Sequence, residues 1–286
     1  MKYAFIKAHQ SQFPTLKLCQ TLKVSRSGFY VWLKQPESKR SIFWRQLLAE
    51  IKQVHEESHQ RYGLVKCWKA LKRKGIVCGR DQVARLRRNN DIYSKRRRRF
   101  VITTQSKQSH EAAPNTLKRE FSVAAPNKVW VGDVTFIPTR KGWLYLSVLL
   151  DLYSRKVIGW SMGNRNDSTL VKDCLEMAVT HRKPKPGLMH HTDRGSTYTS
   201  EKYRSVLSEH GMISSMSRKG NCWDNAVSES FFGNLKNELT HDKTYQDQNQ
   251  ARADIFEYIE MFYNRQRLHQ TLNYVSPTQY EMMEVA

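Results

Sequence analysis

Several large protein classes need residues that this sequence has little of. Its five cysteines, Cys19, Cys67, Cys78, Cys174 and Cys222, are scattered over 286 residues with no CxxC pair among them. That argues against a zinc finger or a disulfide framework and leaves buried, reduced thiols as the expectation. No apolar run approaches the roughly 18 residues that cross a bilayer. The opening MKYAFIKAHQ has neither the apolar core nor the small-residue cleavage site of a secretory signal, so a cytoplasmic chain without membrane contact is expected. Acids are also scarce, and unevenly so. Residues 1–120 carry 28 Lys and Arg against 8 Asp and Glu, whereas residues 121–286 carry 20 against 18.

What is present follows from that asymmetry. The net charge of +22 lies almost wholly in the first 120 residues, which points to a polyanion-binding module joined to a near-neutral partner region. Hydrophobic content of 39% and a mean hydropathy of −0.68 fit a globular chain long enough for two or three domains.

The N-terminal region reads as helices. In TLKLCQTLKVSRSGFYVWL, residues 15–33, the apolar positions are Leu16, Leu18, Leu22 and Val24, then Phe29, Val31 and Leu33, with Ser25 as the N-cap between two helices. This is a helix-turn-helix pattern whose second helix would present Arg26 and Ser27 to DNA, although an ordinary helical hairpin has the same signature. A second such unit runs from about Ser41 to Asn90. Leu47, Leu48, Ile51 and Val54 line one helical face, Gly75 stops the next helix, and GRDQVARLRRNN offers Arg85, Arg87 and Arg88. The adjoining run Lys95, Arg96, Arg97, Arg98 and Arg99 reads as a phosphate-tracking arm, with a nuclear targeting signal as the competing use. Residues 101–126, rich in Thr, Gln, Ser, Ala and Pro, have linker composition. The expected domains are 1–38, 39–100, the linker 101–126, a core at 127–245 and a C-terminal helical segment at 246–286.

From Lys128 the pattern turns to strands. KVWVGDVTFIP, WLYLSVLLDL and KVIGWSM are short, β-branched and aromatic. A helix capped by Asp167 or Ser168 follows, then the short run GLMHHT, a helix ending at Gly211, the strand candidate MISSMS and the helix DNAVSESFFGNLKNEL. Three strands followed by alternating helix and strand predict a mixed sheet flanked by helices, the order of a ribonuclease H-like fold.

Three acids stand out in this frame. Asp133 interrupts an apolar strand, a costly place for a charge without a partner. Asp193 follows a buried strand in HHTDRGS, where α/β sheets bind ligands, although an Asp at that position also serves as a turn former beside Gly195. Glu229 lies on a helix, 35 intervening residues after Asp193, with Lys236 returning to the same side about 10 Å further along the axis. Taken singly, each is an ordinary charge. Together they can bind two hard divalent cations, Mg²⁺ or Mn²⁺, which is equipment for phosphodiester chemistry.

These blocks, with GNCWDNAVSESFFGNLKNEL and YNRQRLHQTLNYVSP, resemble the DDE transposases of the retroviral-integrase-like superfamily, in the orfB type of the bacterial insertion sequence three family. The likeness spans about residues 15–280. It implies a ribonuclease H-like integrase core with a mixed five-stranded sheet behind all-α helix-turn-helix modules. It further implies Mg²⁺-dependent end cleavage and strand transfer, with Asp133, Asp193 and Glu229 as catalytic triad and Lys236 at the transposon end. The partners it implies are terminal inverted repeats, target DNA, at least one further copy of the chain, and an upstream-frame product. Asn225, Tyr263, Asn264, Arg267 and His269 match family motifs without an assigned role, as His190 and His191 also lack one. Thr197 departs from the family's usual Gln. The rival readings are a ribonuclease H-type nuclease that does not join strands and a non-catalytic DNA-binding regulator.

Overall fold

The computed structural model describes residues 2–34, 37–95, 113–218 and 222–283. The chain divides into two compact units, residues 1–53 and 54–286. The first contains α1 (Lys2–His9), α2 (Thr15–Thr21), α3 (Arg26–Lys34) and most of α4 (Lys39–Glu57). Ile6, Cys19 and Phe29 form its buried cluster, with Tyr3, Leu18, Leu22 and Val24 packed against it. Ser25 caps α3, its Oγ accepting the Gly28 N–H at 3.1 Å. Leu16, Val31 and Leu33, expected on the apolar face, are exposed, because each of α1, α2 and α3 buries only one residue fully.

The second unit begins with the end of α4, followed by α5 (Leu64–Arg73) and α6 (Arg80–Asn89). Gly75 terminates α5 with a φ of +79°, where a Cβ would be strained. α5 packs on α6, and Cys67 and Leu71 of α5 and Val83 of α6 are buried.

The centre of this unit is a sheet of β1 (Val129–Thr139), β2 (Gly142–Asp151), β3 (Val157–Gly163), β4 (Met189–Thr192) and β5 (Ile213–Met216), in the order β3-β2-β1-β4-β5. β1, β2 and β3 are antiparallel neighbours, and β4 and β5 join in parallel. Parallel entry requires crossovers, supplied by α7 (Ser168–Arg182) and α8 (Glu201–Glu209). Asp167 caps α7 by accepting the Leu170 N–H. On one face Trp130, Leu149 and Ile158 pack with Val171, Cys174, Ala178, Tyr203 and Val206 of those helices. A Cβ at Gly159 would sit 2.5 Å from the Cys174 carbonyl, so β3 carries glycine where α7 presses closest.

Leu144, Leu146, Val148 and Leu150 are also fully buried, and alternation turns them to the other face. There α9 (Ala226–Leu235) and α10 (Gln248–Glu257) pack on β1 and β2. Each continues into a wider π turn, Lys236–Thr240 and Tyr258–Tyr263. Covering both faces explains why β2 reads as a near-continuous apolar run.

The stretch of linker-like composition is part of this unit from Ala113 on. The Ser215 hydroxyl accepts the Thr116 and Leu117 N–H groups, and Leu117 is buried. The C-terminal α11 (Pro277–Met282) is fastened by Glu281, which accepts hydrogen bonds from Ser154, Lys156 and Arg182. Among the described residues no helix is long and apolar enough to cross a membrane.

Candidate active site

Asp133 occupies the middle of β1, opposite Val148 of β2, and alternation from Trp130 turns it to the face that α9 covers. Its Oδ1 accepts the N–H of Val134 at 2.7 Å. Asp193 lies one residue past the end of β4, the strand next to β1. Its Oδ1 accepts the Gly195 N–H at 2.9 Å. The turn-forming role of Asp193 is therefore real, and it fixes the carboxylate at the strand end. Glu229 stands in the first turn of α9. The start of that helix is held to β1 by Asn225, whose Nδ2 donates to the Gly132 carbonyl at 3.5 Å.

Burial acts on all three acids. Burial raises the Asp133 carboxyl well above the usual range, and the charges of Asp193 and then Glu229 push it further, against the Val134 N–H and the Lys236 ammonium. Asp193 is also raised, by burial, with the Gly195 N–H opposing. Glu229 is raised by burial. Lys236, half-buried at the start of its π turn, is lowered by burial while Asp133 supports its charge. A cation beside these acids would lower all three, and divalent ions favour hard oxygen ligands. Among the described residues no three His, Cys, Asp or Glu side chains form a preassembled metal cluster. Carboxylates such as Asp133, Asp193 and Glu229 are the hard oxygen donors that such ions take.

The two histidines beside Asp193 are core residues. The His190 ring meets Tyr203 Oη and the Trp130 carbonyl, and burial pushes it down to about 4. His191 is held between the hydroxyls of Ser215 and Ser217. Thr197 is half-buried, and its carbonyl accepts the Ser200 hydroxyl. Sequence reasoning passed over Asp224, which is buried and accepts from Asn115, Arg119 and Arg218. These bonds, led by that of Arg218, hold it well below the usual carboxylate range.

The motif residues without an assigned role prove to be fasteners. The Asn264 side chain pairs with both backbone groups of Val157, like a neighbouring strand. Arg267 grips Glu238 through Nε and Nη2, the closest contact being 2.7 Å, and Tyr258 donates to the same carboxylate. Tyr263 is buried against the His269 ring. Burial and then the Arg267 charge push His269 down to about 2, which keeps it neutral. The same segment meets the helices before the sheet: Tyr62 donates to the Gln266 carbonyl and accepts the Leu268 N–H.

Of the expected DNA contacts, Arg26 and Ser27 are exposed at the start of α3, and Arg85 and Arg88 are exposed on α6. Arg87 is a correction: it is 6% exposed and donates to the Tyr62 carbonyl, because it follows Val83 by four residues and shares its inward face. Arg96, Arg97, Arg98 and Arg99 lie outside the described residues.

A mixed five-stranded sheet flanked by helices, preceded in sequence by paired helices, is the architecture of an integrase-type core that follows a helix-turn-helix-like region. The family described as "Integrase core domain" matches residues 123–222, a second of the same description matches 229–285, and "HTH-like domain" matches 44–100. The transposase for insertion sequence element IS904 of Lactococcus lactis is 44% identical over 238 residues, 83% of this chain and 94% of its own length. Transposase InsF for insertion sequence IS3A of Escherichia coli is 38% identical over 288 residues and covers both chains completely. The HTLV-2 integrase catalytic core superposes with a TM-score of 0.43 at 19% identity, over 55% of this chain and 97% of its own. The chain belongs to the insertion-sequence transposases of the IS3 family.

Proposed function

We propose that the protein cleaves DNA at the ends of its insertion sequence and joins them to new phosphodiesters, with Asp133, Asp193 and Glu229 as the catalytic acids. The observation that carries this reading is geometric: Asp133 is on β1, Asp193 is one residue past the neighbouring strand β4, and Glu229 is in the first turn of α9, which packs on β1. The three would hold Mg²⁺ or Mn²⁺, two ions per site. Such ions, when bound, supply Lewis acidity to the attacking and leaving oxygens.

The chain's own residues do the rest. The Gly195 turn and the Asn225 bond to β1 position two of the acids before substrate arrives. Lys236 offers its ammonium to a phosphate of the element's end beside Asp133. Water displaces the 3′ oxygen at the end, and the freed 3′-hydroxyl then attacks a second phosphodiester and displaces its 3′ oxygen, with no covalent bond to the protein. Arg26, Ser27, Arg85 and Arg88 provide exposed donors for the duplex, and the sequence adds the basic run Arg96 to Arg99. Two ends must meet, so the working species is at least a dimer, alone or with the upstream-frame product.

Asp133→Asn, Asp193→Asn and Glu229→Gln, assayed on labelled end DNA with Mg²⁺, should each lose cleavage and joining while retaining DNA binding. Near-full activity in any one of them refutes the triad. Cleavage by the wild-type chain without joining would favour the nuclease reading, and binding without turnover the regulator.

A further inference from the structure

Three residues beyond Asp133, β1 leaves the covered part of the sheet and forms an exposed hairpin with β2. Ile137 and Leu144 point inward, whereas Phe136 and Trp143 are 42% and 49% exposed. Their rings meet edge to face with centroids 5.0 Å apart. Two large apolar rings side by side in water are costly unless they have a use.

The hairpin is braced. Thr139 bridges to Tyr245, the Arg140 N–H donates to the Tyr245 carbonyl, and Gln248 donates to the Trp143 carbonyl. The rings therefore sit on a fixed support. The surroundings are cationic. Arg140 and Lys141 form the exposed turn, and the Lys236 ammonium lies 5.6 Å from the centre of the Phe136 ring while its charge acts on Asp133. Lys236 thus connects the aromatic pair to the acid site.

We infer that Phe136 and Trp143 form a stacking platform for an unpaired nucleobase at the DNA end, next to the phosphate held by Lys236. A base presents a π face to rings and a phosphate to cations, and this surface offers both within one braced hairpin. Taking up an unstacked base would separate the terminal pair and bring the scissile phosphate within reach of Asp133. This inference rests on the reading of the acids as a DNA-processing site.

The test uses the full chain in EDTA, where binding is read without turnover. The probes are a duplex with a single-stranded 3′ thymidine extension and the same duplex with an abasic extension. The wild-type chain should prefer the base-bearing extension by about fivefold or more. Trp143→Ala and Phe136→Ala should bring that ratio close to one, Trp143→Phe should keep most of it, and Lys141→Ala should weaken both probes equally. A wild-type ratio near one overturns the platform. So does a ratio unchanged in both alanine variants, or one that falls equally in Lys141→Ala. If Asp133→Asn instead retains full cleavage while the ratio behaves as expected, the catalytic reading fails and the platform stands.

Discussion

Replacing Asn264 with Leu removes the side chain that acts as a substitute strand for β3. β3 is an edge of the sheet, and at Val157, which is 4% exposed, its backbone N–H and C=O are satisfied by Asn264 at 2.9 Å each. Leucine has nearly the shape of asparagine but neither donor nor acceptor, so two backbone groups stay buried and unpaired. At about 1–3 kcal/mol for each stranded group, the variant should lose about 2–6 kcal/mol. That is a large share of a domain's usual margin of about 5–15 kcal/mol. Urea unfolding measures the loss, and hydrogen exchange at the Val157 amide locates it, since that amide should lose protection before its neighbours on β2. A loss under about 1 kcal/mol with Val157 still protected would refute the assignment of Asn264 as a strand partner.

Asp133→Asn should melt at a higher temperature than the wild-type chain in chelator at neutral pH. The native carboxyl is raised above its unfolded value of about 3.9, so the wild-type chain loses stability as pH climbs from there through the native value, and the deficit persists above it. The difference should therefore shrink as pH falls toward about 4, and a variant that melts at or below wild type at every pH contradicts the electrostatics of the site. On α6, Arg88→Ala should reduce the slope of log affinity against log salt by about one, as loss of a phosphate contact does. Arg87→Ala should leave that slope intact and lower the melting temperature, because Arg87 donates to Tyr62 inside the unit. The opposite pattern would exchange their roles.

The succession of strands and helices along the chain and the acid spacing were legible in the sequence because both depend on local pattern: alternation exposes Asp133 as an anomaly, and apolar runs delimit β1 to β4. The fasteners were not. Asn264 acts on Val157 across 107 positions of chain, and no local pattern reports such a contact. Arg87 could have been found, since its distance of four residues from Val83 places it on the inward face, but its charge among neighbouring arginines masked it. Residues 113–121 read as linker because their partners arrive about a hundred residues later: Ser215 accepts the Thr116 and Leu117 backbone N–H groups, and Asp224 the Asn115 and Arg119 side chains. Phe136 and Trp143 were not singled out, because strand patterning does not tell where a sheet outruns its covering helices.

The central claim is that Asp133, Asp193 and Glu229 hold divalent metal as one site. Fe²⁺ substituted for Mg²⁺, with ascorbate and peroxide, generates radicals that cut the polypeptide only near the bound ion. The account predicts cuts confined to β1 around Asp133, the turn at Asp193 and the start of α9, all abolished together by Asp133→Asn. Cuts at only one of these places, or cuts that survive the substitution, would contradict it.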